Sequence, residues 1–342
     1  MFSVYFLPST AKQSRAALRG GSIVVLAILG GLVAYGAVGR NLALLGVLGT
    51  VFMYIAMTQA WNILGGYGGY LNFGTVTFFG IGAYTSAVLF QSYGISPFVT
   101  APLAGIVAAL AALLIGIPTL RLRGAYFGVV TMIITFAILI LVLDMPSTQG
   151  ALGIYMQPLS LEPIAVERLF YFLYLGLAVG VTALVWAVEH SNFGWALVAI
   201  REDEDAAEII GVRTTVVKWI ANAIGAFVIG ICGAFYAQRI LYLEPTGTFS
   251  FDISLNVVLM AVIGGAGTWQ GPLIGAPLVL LVADALRVTF TSEVNRVIFS
   301  LVVIIIALFV PGGVIGFVAR LRARFVPGPE EPNPEAEAGA AD

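Results

Sequence analysis

Between Asn41 and Leu120 the chain runs for 80 residues without an Asp, Glu, Lys or Arg. At about 1.5 Å of rise per helical residue and roughly 30 Å of hydrocarbon, such a stretch holds three or four membrane crossings. The rest of the chain fits no water-facing surface either: of 342 residues only 34 are charged (16 basic plus 18 acidic), while 60% are hydrophobic. Apolar runs such as Val297 to Val310 are continuous. A membrane barrel would instead alternate polar and apolar residues along segments of about ten. The expected fold is therefore an all-α polytopic membrane protein.

Windows of about 20 apolar residues place ten spans. The first five lie near Ser22–Gly39, Leu42–Ala60, Val76–Phe90, Phe98–Pro118 and Ala125–Leu143. The second five lie near Leu169–Val188, Trp219–Gln238, Ile253–Ile263, Pro272–Leu286 and Val297–Val310. With an even count both termini share a side, and 11 of the 16 bases then fall on that side, which the positive-inside rule makes cytoplasmic. Residues 1–21 become a cytoplasmic N-terminal segment before an uncleaved first span, and 22–318 the membrane domain. Residues 319–342 form a basic and then acidic tail. From about residue 327 that tail, rich in Pro and acids, has a composition that cannot bury a core and is expected to be disordered. Because five is odd, a five-plus-five arrangement permits an inverted repeat with a path between its halves.

Catalytic chemistry has little to work with. Cys232 and His190 are each the sole residue of their type, so no disulfide, metal cluster or Ser/His/Asp set can be assembled within the chain. No GxxxxGK[ST] phosphate loop is present, so no metal or cofactor is expected on this chain and any energy input comes from elsewhere.

Two kinds of segment remain to carry function. The connector 189–218, EHSNFGWALVAIREDEDAAEIIGVRTTVVK, holds a short helix for which Asp205 is the expected cap. Glu208 stands three residues on as in a capping box, and Gly211 suits a left-handed stop. Ala206 and Ala207 give that helix a flat surface, Ile209 and Ile210 an apolar one, and Thr214 or Thr215 is expected to cap the next helix. Each half also has a glycine-dense segment, 65–82 and 264–275. In the first, Gly65, Gly66, Gly68 and Gly69 cannot hold a regular helix well, so a break or re-entrant turn is expected, suited to a gate. The four-residue spacings Gly65/Gly69, Gly176/Gly180 and Gly267/Gly271/Gly275 predict close helix packing. Polar groups at membrane depth, among them Gln59, Asn62, Asn72, Thr75, Thr77, Thr131, Thr135, Asn222 and Asn256, either line a path or bond helix to helix. Asp252 is expected to cap its helix, and Asp284 with Arg287 to form a local ion pair.

Asp205-Ala206-Ala207-x-x-x-Gly211 resembles the EAA-x-x-x-G loop of ABC importer permeases, with Asp where that family usually has Glu. The blocks AWNILGGYGGYLNFGTVTFFGIGA, LRLRGAYF, FGWALVAIREDEDAAEIIGVRT and MAVIGGAGTWQGPLIG are similar, in order, to those of the branched-chain amino acid permeases of LivM type. They cover roughly residues 42–315 and depart at Gly74-Thr75, where the family often has Gly-His. The resemblance implies an ABC importer permease that moves branched-chain amino acids by alternating access, in a prokaryotic cytoplasmic membrane. Its implied partners are cytoplasmic ATPase subunits that use the ATP, a second permease of LivH type and an extracytoplasmic solute-binding protein. No nucleic acid is implied. Asp205, Ala206, Ala207, Glu208 and Gly211 would then meet the ATPase, while Asn62, Gly65, Gly66, Asn72, Thr75, Thr77, Asn222 and Asn256 are the candidates for the path or its gate. A urea or short-chain amide permease of the same family and a stand-alone secondary transporter are the competing readings.

Overall fold

A computed structural model of the chain describes residues 29–289 and 313–317. The N-terminal segment, the start of the first expected span, the span 297–310 and the acidic tail lie outside the described residues, as do the side chains of Asp284 and Arg287. The fold is all-α. A short helix α1 (Leu29–Val38) is followed by α2 (Leu42–Asn62), α3 (Thr75–Tyr93), α4 (Pro97–Thr119), α5 (Ala125–Asp144) and α6 (Pro163–Glu189). Next come α7 (Asn192–Glu202), α8 (Glu204–Ile209), α9 (Thr214–Ile240), α10 (Pro245–Thr248), α11 (Phe251–Gly264) and α12 (Gly271–Thr289). Strands β1 (Ile154–Tyr155) and β2 (Tyr242–Leu243) form a short antiparallel pair that joins the middle of the connector after α5 to the residues directly after α9.

Among the described residues, six helices are long and apolar enough to cross a membrane, against the ten expected. They are α2 with its π-helical extension to Tyr67, α4 from Phe98, α5, α6, α9, and α10 with α11. The α3 helix is long enough but less apolar; its Thr75, Thr77, Gly80, Gly82, Tyr84 and Ser86 are buried, and it packs on α4 and α9. α9 forms the centre of the bundle, lying along α3 and α4 and touching α2; α2 lies along α6, and the α11/α12 pair packs on α2.

Close approach explains the seam between α3 and α9. A Cβ on Gly82 would lie 2.2 Å from the Gly230 carbonyl oxygen, and one on Gly233 would lie 2.0 Å from that of Phe79. Only glycine lets the two backbones meet, which suits a medium where association rests on packing rather than on hydrophobic expulsion. Gly275 lies equally close to the Met260 carbonyl in the α11/α12 pair, as its spacing predicts. Gly176 and Gly180 do not follow that expectation. Nothing lies within 4 Å of a Cβ at either, because they line an open apolar groove of about 450 Å³ between α6 and α9.

The bases sort to two ends. Arg239 at the close of α9 donates to the Gly46 carbonyl and the Thr50 hydroxyl, both at 2.9 Å, and pairs with Glu167, while Arg168 donates to the Gly39 carbonyl. Arg123 and Lys218 meet the α8 acids instead, which joins the connector after α4 to the connector between α6 and α9.

Candidate functional site: a charged connector on a glycine junction

The short helix α8 begins where four acids follow one another, Glu202 to Asp205. Its cap is Asp203, whose carboxylate accepts from the amides of Asp205 and Ala206 at 2.9 and 3.0 Å, and not Asp205 as expected. Asp205 is instead drawn outward by Arg123, which donates to both of its oxygens at 2.7 and 3.0 Å. A bidentate guanidinium at that distance outcompetes a second local cap. Glu208 forms no capping box either; it accepts from the Thr214 hydroxyl at 2.6 Å, so Thr214 does not cap α9, whose first turn has no side-chain cap. The stop is as expected: Gly211 has φ +92°. The amides of Gly211 and Val212 return to the carbonyls of Glu208 and Ala207, a Schellman closure. Ala207 is buried, whereas Ala206 faces out and Ile209 and Ile210 are 86% and 76% exposed, in the connector between α6 and α9.

Glu204 lies on the inner face of α8. Its Oε1 accepts from Lys218 Nζ at 2.6 Å; its Oε2 accepts from the Tyr70 hydroxyl at 2.6 Å and lies 3.2 Å from Arg123 Nε. Lys218, on the first turns of α9 and almost fully buried, also donates to the Tyr70 oxygen at 3.1 Å and to the Leu120 carbonyl at 2.9 Å. All three ammonium donors are thereby satisfied, which makes burial of the charge tolerable.

Arg123 holds Asp205 below the ordinary carboxylate value, first by hydrogen bonding and then by charge. Burial acts to raise Glu204, but the hydrogen bonds from Lys218 and Tyr70, with the charges of Lys218 and Arg123, outweigh it and lower the group. Carboxylates lowered in the fold stabilise it fully above their unfolded values, near 4, and lose that contribution as pH falls through the lowered folded values. Hydrogen exchange of the α8 amides, corrected for intrinsic rates, is therefore expected to stay constant from pH 8 to pH 5. Acceleration is expected only below about pH 4; a rise between pH 5 and pH 8 would contradict the pairing.

Next to this connector the two glycine-dense segments touch. After α2 the chain loosens into a π-helical turn, Ile63–Tyr67, and then irregular backbone to residue 74, with Gly69 at φ +74°, so the expected break is present. Asn62, fully buried, clamps the opposite segment: its Nδ2 donates to the Thr268 carbonyl at 2.9 Å and its Oδ1 accepts from the Gly267 amide at 2.8 Å. Gln59 donates to the Trp269 carbonyl at 2.7 Å. Glu189, at the end of α6, accepts from the Tyr67 hydroxyl at 2.5 Å and from the Trp269 amide at 3.3 Å. Gly66 lies against Gly267 and Asn62, with no space for a Cβ, and Gly65 lies against the Trp61 ring. From α7, Arg201 crosses the junction, its Nη1 3.3 Å from the Gly66 carbonyl and its aliphatic stem where a Cβ on Gly69 would sit.

The remaining candidates form a second, smaller cluster. Asn72 Nδ2 donates to Asn222 Oδ1 at 3.4 Å, Asn222 Nδ2 donates to the Ala112 carbonyl, and the Thr77 and Thr135 hydroxyls are 2.8 Å apart. Thr131 accepts from the Phe73 amide. The cavity between them is about 10 Å³, on the order of one water and far below any amino acid. Thr75, buried at the start of α3, has a hydroxyl without a partner, and Asn256 is half-buried on α11 and joins neither cluster. Asp252 lies in the first turn of α11 rather than at its cap, which is Ser250. Tyr70 is unmarked in the sequence, and Glu204, Arg123, Arg201 and Lys218 stand there only as members of the acid-rich connector and of the base count, with no role of their own.

A helical bundle with several apolar spans, two broken segments that touch and a charged connector beside them defines a multi-pass helical membrane protein. A sequence profile of the family described as branched-chain amino acid transport system / permease component matches residues 43–308. The chain belongs to that family. It is similar to the high-affinity branched-chain amino acid transport system permease protein LivM of Salmonella typhimurium, 30% identical over 262 residues, 69% of this chain and 61% of that protein. LivM of Escherichia coli K12 is 29% identical over 290 residues, 77% of this chain and 68% of that protein. LivH of Salmonella typhimurium is 30% identical over 135 residues, 39% of this chain and 43% of that protein. The chain thus spans about three fifths of the first of these relatives and about two thirds of the second. No solved structure matches it.

Proposed function

We propose that the chain is a permease subunit of an ATP-driven ABC importer that moves branched-chain amino acids by alternating access. The α8 helix is the observation that carries the reading. It lies outside the spans and presents Ala206, Ile209 and Ile210 outward while Glu204 and Asp205 tie it to the first half of the bundle. That is the build required of a surface on which a cytoplasmic ATPase docks. Similarity to LivM and LivH supports the substrate class and, with it, a second permease of LivH type and an extracytoplasmic solute-binding protein. In this reading the membrane is the prokaryotic cytoplasmic one, both termini are cytoplasmic, and the ten spans form an inverted five-plus-five repeat. No ATP site or other cofactor belongs to this chain. Asn62, Gly65 and Gly66 serve the gate as its clamp and its close contacts rather than as ligands of the substrate.

Deleting Glu202 to Gly211, or replacing Gly211 by Trp, is expected to leave membrane insertion intact. Leucine uptake per ATP hydrolysed should fall at least tenfold, read by isotope uptake beside phosphate release in the assembled transporter. Normal uptake by either variant would sink the docking assignment.

A further inference from the structure

We infer that Glu204, Lys218 and Tyr70 act as positioning residues, a latch through which displacement of α8 is passed to the irregular segment 68–74 instead of along the chain. This rests on the importer reading for its direction, but the geometry is independent of it. Both carboxylate oxygens of Glu204 are engaged, one by Lys218 and the other by Tyr70, each at 2.6 Å. Lys218 in turn bonds the Tyr70 oxygen and the Leu120 carbonyl. The side chains of Lys218 and Glu204 are only 4% and 11% exposed, so water has little access to the place of a lost partner. A shift of α8 by an ångström either breaks short, shielded bonds or takes Tyr70 with it, and the second course leaves no charge unpaired.

Tyr70 is well placed to be moved. It sits between the left-handed Gly69 and the start of α3 at Thr75, where the backbone has no helical ladder, and its ring packs edge-on against Phe127. From α7, Arg201 bonds the Gly66 carbonyl just before this segment and lays its stem on Gly69 at the segment's start. Connector and glycine junction are thus held at two points from two helices, and the Glu204 point is the ionic one.

The test uses the full chain in nanodiscs and in the assembled transporter. Tyr70→Phe removes only the hydroxyl, and the double variant E204Q/K218M removes both charges and so strands neither. Both variants are expected to insert and to retain the ATPase, with leucine uptake per ATP hydrolysed at least tenfold lower and amides of residues 68–74 exchanging at least tenfold faster. Uptake per ATP within twofold of wild type in both variants overturns the latch, since a purely structural role would leave that ratio unchanged. If the wild-type chain recruits no ATPase, the importer reading fails by itself. The exchange measurement then decides the latch, and unchanged rates at 68–74 in both variants overturn it.

Discussion

Gly233→Leu is expected to prevent assembly of the bundle. A Cβ there would meet three main-chain atoms, the Phe79 oxygen at 2.0 Å, its carbonyl carbon at 2.9 Å and the Ala83 nitrogen at 3.0 Å, and none of them can rotate away. Overpacking that flexible side chains absorb costs about 1–3 kcal/mol; separating α3 from α9 also removes the contacts of an extensive seam, so the loss should exceed about 3 kcal/mol. The matched control is Gly180→Leu, on the open side of α6, where nothing lies within 4 Å and the effect should stay within about 0.5 kcal/mol. Thermal unfolding and monodispersity of the two variants in detergent check this. Equal behaviour would mean that the α3/α9 seam is not where the bundle is closed.

Asn62→Leu is expected to open the glycine junction. Leucine conserves the volume but leaves the Gly267 amide and the Thr268 carbonyl without the partners that Asn62 provides. The Gly267 amide is buried and the Thr268 carbonyl partly so; a buried group left unsatisfied costs about 1–3 kcal/mol, so the clamp should lose at least about 1 kcal/mol. Exchange of the amides at 265–270 should rise at least about fivefold, which is that figure converted at about 1.4 kcal/mol per factor of ten. Transport should fall with it, since the two broken segments would no longer move as one. Unchanged exchange at 265–270 would show that Gln59 and Glu189 hold the loop without help.

Where the structure follows the sequence, the cause is local. Glycine density foretells the break after Asn62, and Gly211 foretells the end of α8, because a backbone without a helical ladder and a left-handed stop are both written in adjacent residues. The cap of α8 could not be assigned in the same way. Asp203 and Asp205 are equally good acceptors in isolation, and the choice is made by Arg123, 82 positions from Asp205. The latch is hidden for a related reason. Tyr70 and Lys218 are 148 residues apart, and a lysine just inside a span reads as one more base in a topology count until Glu204 is seen beneath it. Glycine spacing is likewise only half informative: Gly275 and Gly176 have similar contexts in sequence, yet one touches a neighbouring backbone and the other faces an open groove.

The central claim is that the chain works only as part of an ATP-driven assembly that α8 joins to its energy source. Its most direct test is uptake of labelled leucine into proteoliposomes. One preparation contains the chain with its ATPase, second permease and binding protein; the other contains the chain alone under an ion gradient. Accumulation that needs ATP and every component, and that is lost when Glu202 to Gly211 is deleted, is the predicted result. Leucine accumulation by the chain alone, without ATP, would contradict it and make the protein a secondary transporter.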